Sequence, residues 1–119
     1  MNGAIIISWG ASIPGREAKG LEVFGDALAR FDGYAKNGRV HSHREYFALT
    51  GRDGGYVIID GELDELTTIL TEDETITLNA QAAAVVNDFH VQLVGGGTED
   101  AVQQVMGTYT GALQTIGYL

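Results

Sequence analysis

Two stretches constrain this chain more than any other feature. Residues 4–9 read Ala-Ile-Ile-Ile-Ser-Trp between glycines at Gly3 and Gly10, and residues 56–59 read Tyr-Val-Ile-Ile. Both are rich in β-branched or aromatic residues, and neither alternates apolar with polar, so each reads as a strand covered on both sides. Any fold for this sequence has to shield two faces of a sheet centred on these strands.

The rest of the chain supplies the other elements. After Ser12, Pro14 and Gly15, apolar residues recur at spacings of three and four (Leu21, Phe24, Leu28, Phe31, Ala35), which predicts an amphipathic helix of about five turns. Asn37-Gly38 ends it. Residues 39–50 read as a second strand, followed by a turn over 51–55 and the return strand at 56–59. Gly61 opens a helical piece carrying Leu63, Leu66, Ile69 and Leu70. A second piece begins at Glu72-Asp73-Glu74 and runs to Val86. Asn87-Asp88 makes a turn, residues 89–93 alternate as a half-buried strand, and Gly95-Gly96-Gly97 breaks it. Thr98 then caps a final helix with Val102, Val105, Met106, Tyr109, Leu113 and Ile116 on one side.

The order β-α-β-β-α-β plus a terminal helix predicts an α+β, ferredoxin-like fold: a four-stranded antiparallel sheet with helices on one face. At 119 residues the chain suits one domain over 1–119. In this topology the first and third strands are central, and these are the two without alternation. The crossover helices cover one face, which leaves an apolar second face too large for a soluble monomer. Either the C-terminal helix folds back over it or a second subunit covers it. A homodimer is the expected solution, its paired sheets enclosing a pocket for a small, partly apolar ligand.

Composition narrows the function classes. Sixteen acidic against seven basic residues give a formal charge of −9, which disfavours phosphate backbones and anionic lipid, so neither nucleic acid nor membrane is an expected partner. All seven bases precede residue 53, and eleven of the acids lie in residues 53–119. With no cysteine there is no disulfide, thiolate nucleophile or metal–thiolate site. No basic leader precedes the first apolar run, and no apolar stretch reaches membrane-spanning length, so a cytoplasmic location is expected.

The Trp9-Gly10 pair leading to Gly15-Arg16-Glu17, the Leu21 to Phe24 helix segment and the Gly54-Gly55-Tyr56 hairpin resemble an uncharacterised bacterial branch of the dimeric α/β-barrel superfamily. The resemblance implies a homodimer and a small-molecule pocket. The superfamily's members include cofactor-free monooxygenases, isomerases, polyketide-tailoring enzymes, haem proteins and ligand sensors, and no functional motif here selects among them.

The histidines are the most specific chemical feature. His41 and His43 lie two apart on the second strand, with Glu45 on the same side, and His90 lies on the last strand. Such a set is a ligand pattern for zinc-like metals. The two strands are opposite sheet edges, however, about 14 Å apart at three strand spacings, so only a dimer would bring the set together. No metal or cofactor is therefore expected. Arg39, His41, His43 and Arg44 form an alternative acid–base or anion site, with His43 as proton carrier and Arg44 or His90 assisting. Trp9, Tyr46 and Tyr56 would wall it. That arrangement would serve cofactor-independent chemistry on a small carbonyl or aromatic compound; the alternative is a non-enzymatic dimerisation or ligand-sensing module. The triple glycine has the look of a phosphate cradle, but Glu99 and Asp100 place negative charge where phosphate would sit. The acids at Asp60, Glu62, Asp64 and Glu65 lack the calcium-loop pattern.

Overall fold

The computed structural model describes residues 1–51 and 54–119. Its elements are β1 (Asn2–Trp9), α1 (Glu17–Lys36), β2 (Ser42–Phe47), β3 (Gly55–Glu62), α2 (Leu63–Thr71), α3 (Asp73–Val85), β4 (His90–Gly95) and α4 (Glu99–Thr115). The strands form one antiparallel sheet in the order β2-β3-β1-β4, with β1 and β3 in the middle. This is the ferredoxin-like arrangement expected from the order of elements. The second strand is shorter than the residues 39–50 read from the sequence, and His41 lies just before it, its amide donating to the Asp60 carbonyl at 2.7 Å. Arg52 and Asp53, part of the expected turn, lie outside the described residues.

Pairing registers place side chains on faces. Ile5 sits opposite Ile59 and Leu93, and Ile7 opposite Val57 and Val91, so these residues share one face. Against it pack Phe31 and Tyr34 of α1 and Leu66 and Ile69 of α2, which together make the core. Burial of this kind contributes roughly 25 cal/mol per Å² of apolar surface. On α1 the buried residues are Val23, Phe31 and Tyr34, whereas Leu21, assigned to the buried stripe from its spacing, is 76% exposed. The stripe is rotated because α1 leans toward α3 as well as toward the sheet, so Val23 and Tyr34 point inward.

The other face carries Ala4, Ile6 and Ser8 of β1, Tyr56, Ile58 and Asp60 of β3, and Arg44 and Tyr46 of β2. Tyr46 and Tyr56 stack at 5.2 Å and stay 42% and 45% exposed. The C-terminal helix does not seal them. Thr98 caps α4 by accepting from the Ala101 amide at 3.2 Å, Ala101 is buried, and Val102 and Val105 lie near Gly96 and Gly95. Beyond that first part the helix offers Met106 and Tyr109 to solvent, Tyr109 being 69% exposed, and Ile116 just past its end is exposed as well. The molecule is accordingly elongated, 53 × 34 × 26 Å.

One turn is sterically fixed. Gly54 has φ +112°, and a Cβ there would stand 2.0 Å from the Trp9 carbonyl oxygen. Both the left-handed backbone and the close approach demand glycine. Gly54→Ala is expected to lower stability by at least about 2 kcal/mol, read as a lower urea midpoint at unchanged slope. A midpoint equal to that of the unsubstituted chain would refute this account of the hairpin.

Candidate functional site

A cavity of about 630 Å³ lies between the helices and the sheet. Its floor is Ile7, Trp9 and Val57, its walls include Phe24, Phe31 and Leu78, and its rim holds Leu21 and Phe47. The sequence explains the space. Where α1 and α3 face the sheet at this level they carry Gly20, Ala27 and Ala82, too small to reach the strands. α3 packs mainly on α1 and α2, and so bridges the gap instead of filling it.

The aromatic wall is ordered by ring contacts. Trp9 meets Phe24 at 5.6 Å and Phe47 at 6.1 Å, and Phe24 meets Phe47 edge-on at 5.3 Å. Offset and edge-to-face pairs of this kind each add about 0.5–1.5 kcal/mol beyond area burial. Polar groups are few: Ser12 and Glu17 at the exposed end, and the half-buried Asn79 inside. The site can enclose a flat apolar body and offers it little acid–base chemistry.

The sequence-derived candidates fall in different places. Trp9 is in the cavity. Tyr46, Tyr56 and Arg44 are on the opposite face, where Arg44 reaches Asp60 at 3.5 Å. The protomer's own cavity thus lies under the helices, on the other side of the sheet from the pocket expected between paired subunits. His41 is exposed, 3.9 Å from Glu62, and His90 is exposed on β4. The three histidines do not converge within the chain. Among the described residues there is no cluster of three or more His, Cys, Asp or Glu that could hold a metal ion.

His43 faces the helices and packs on Phe31 at 5.9 Å. Its Nδ1 lies 2.6 Å from Glu45 Oε2 and its Nε2 lies 2.7 Å from Asp32 Oδ1. Ionised carboxylates only accept, so this geometry favours donation from both ring nitrogens, the imidazolium form. Burial is the largest single influence and opposes that charge, but Glu45 and Asp32 together outweigh it and raise the pKa. With neither nitrogen free, the geometry makes His43 a fixed cation joining α1 to β2, and a poor proton carrier for a substrate. Arg39 is similarly occupied. It donates to both Glu72 oxygens at 3.0 Å and to Glu65 at 2.6 Å, and its guanidinium lies 5.3 Å from the Tyr34 ring centroid. These carboxylates hold its pKa well above the usual arginine value, Glu72 contributing most. It fastens the α2–α3 junction to the segment before β2.

Phe24, Phe31, Phe47, Leu78 and Asn79 were not singled out from the sequence as site residues. The available signal was the run of alanines at 80 and 82–84 beside a helix with Gly20 and Ala27, a poor match for the large residues of the strands.

No protein-family model matches the sequence, and no curated protein does. Solved structures do share the fold. One is SnoaB, a cofactor-independent oxygenase from Streptomyces nogalater, with a TM-score of 0.59 and 13% identity, over 82% of this chain and 94% of that one. Another is a dimeric protein of unknown function and ferredoxin-like fold from Bacteroides fragilis, with a TM-score of 0.56 and 9% identity, over 77% of this chain and 93% of that one. The likeness bears out the ferredoxin-like α+β fold. No helix among the described residues is long and apolar enough to cross a membrane.

The His43 geometry sets a pH dependence. A histidine whose folded pKa is raised adds stability that is complete below its unfolded value of 6.5 and is lost as pH rises through the folded value. Urea unfolding at pH 6 should show His43→Gln less stable than the unsubstituted chain by about 1–2 kcal/mol, and by less at pH 9. A difference that stays constant or grows with pH would contradict the imidazolium assignment.

Proposed function

We propose that this protein binds a small, flat, largely apolar compound under its helix layer, as a homodimer of the dimeric α/β-barrel type. The cavity of about 630 Å³ with its Trp9–Phe24–Phe47 wall carries the reading. A void of that size in a domain this small is large beside the packing gaps of ordinary cores. Its composition, aromatic walls with a single half-buried amide, suits an aromatic or carbonyl compound with a few polar atoms. A second reading is cofactor-independent turnover of such a compound, supported by the likeness to SnoaB, a cofactor-independent oxygenase. Binding stands without it, because the cavity is poor in groups that move protons.

The dimer has separate support. The solved Bacteroides fragilis neighbour is dimeric. The exposed Tyr46 and Tyr56 and the half-buried Ile6 and Ile58 on the open sheet face, with the exposed Met106 and Tyr109 on α4 and Ile116 just after it, are apolar surface that one chain does not fully cover. Light scattering should give twice the 12.7 kDa chain mass, and Ile58→Lys should return it to 12.7 kDa. A monomer at micromolar concentration would end the dimer reading.

Calorimetric titration with 2-acetylnaphthalene, a flat bicyclic ketone, tests the ligand site. Saturable binding at one site per chain is expected, with Kd on the order of 10–100 μM. Ala82→Trp, which fills the space under α3, should weaken it at least about tenfold while unfolding stays cooperative. No saturable binding, or binding indifferent to that substitution, would refute the proposal.

A further inference from the structure

Next to the large cavity lies a small one of about 20 Å³. Ile7, Phe31, Leu78 and Asn79 line both, so these four side chains are the partition between them. The far wall of the small cavity includes Tyr34 of α1 and Thr75 of α3. These residues are 7% and 8% exposed, and both hydroxyl oxygens are buried with no hydrogen-bond partner among the described residues. Leaving a buried hydroxyl unpaired costs about 1–3 kcal/mol, so two around one small space are unusual in a packed core.

The surroundings give the space a chemical character. Thr75 and Asn79 are four residues apart on α3 and therefore on one face, and Arg30 and Tyr34 stand in the same relation on α1. Arg30 also lines the small cavity and donates to Glu74 at 2.7 Å. Its charged form is favoured first by the nearby Tyr34 oxygen, although no aligned hydrogen bond joins the two. Tyr34, Thr75 and Asn79 each bring an O–H or N–H donor. A volume of 20 Å³ takes one oxygen atom or one water and little else.

We propose that the small cavity is the oxygen-binding end of the ligand site. The ligand's apolar body fills the large cavity, and a carbonyl or enolate oxygen reaches past Phe31 and Leu78 to accept from the Tyr34 and Thr75 hydroxyls. Asn79, shared by both cavities, is the positioning residue at the boundary. The inference rests on the ligand-site reading above and adds the class of compound: a flat hydrocarbon skeleton bearing a ketone, quinone or enolate oxygen at one end.

Matched probes separate the two claims. 2-Acetylnaphthalene and 2-ethylnaphthalene share a shape and differ in the carbonyl, and equilibrium dialysis gives Kd for each on the unsubstituted protein, Tyr34→Phe, Thr75→Val and the double variant. The double variant loses both donated hydrogen bonds and should bind the ketone at least about tenfold more weakly, and the hydrocarbon within twofold of the unsubstituted protein. Each single variant should fall between. Because these exchanges remove unpaired hydroxyls and keep side-chain shape, Tm should hold or rise.

Unchanged ketone affinity in the double variant, with both probes still bound, overturns the oxygen-end assignment and leaves the apolar site standing. A lower Tm with an unchanged ratio of the two affinities also overturns it, since it marks the hydroxyls as partners of a structural water. Failure of the unsubstituted protein to bind either probe removes the ligand site, and this inference with it.

Discussion

The architecture depends on how helices α1 and α3 are fastened at their ends. At one end Arg16 donates to the Ala84 carbonyl at 2.6 Å, and the Ile13 amide donates to the Val85 carbonyl at 3.0 Å. The Gly10 amide gives 2.7 Å to the Asn87 carbonyl and the Asn87 amide returns 2.8 Å to Ala11. At the other end Arg30 pairs with Glu74, and Arg39 ties Glu65 and Glu72 to the approach of β2. Backbone and ionic contacts thus hold both ends of the helix pair, and side chains between them need not reach the strands. Exposed ion pairs individually contribute little. Arg39 differs, being half-buried, bidentate and stacked on Tyr34, which suits guanidinium geometry and would not suit lysine.

Much of this was legible in the sequence, and for a physical reason. Strand centrality follows from residues apolar on both sides, and 4–9 and 56–59 do occupy β1 and β3 in the middle of the sheet. The Thr98 cap and the break between α2 and α3 at Glu72 also follow from local chemistry. On α1 the spacing placed Phe24, Phe31 and Ala35 at the core but misplaced Leu21 and missed Val23 and Tyr34, because a helix packed against two neighbours buries an arc that a single stripe does not describe. Glu45 was legible as sharing a side of β2 with His43, but Asp32 lies on α1, and a period-2 pattern cannot show what a helix brings across.

The cavity was hidden for a different reason. Sequence patterns report which residues are apolar, and volume is a sum over several elements. Gly20, Ala27 and Ala82 look like ordinary helix residues until α1 and α3 are laid over β1 and β3. The same holds for Tyr34 and Thr75, whose hydroxyls become unpaired only once the core closes round them.

The distribution of burial across this site separates two evolutionary pressures. Ile7, Val57 and Phe31 belong to the folding core or pack against it, whereas Leu21 stands largely in solvent at the entrance. Exposed side chains can usually be exchanged within about half a kcal/mol. The entrance can therefore drift toward new molecular shapes while the floor stays constant, so descendants of this scaffold could diversify what they admit without risking collapse.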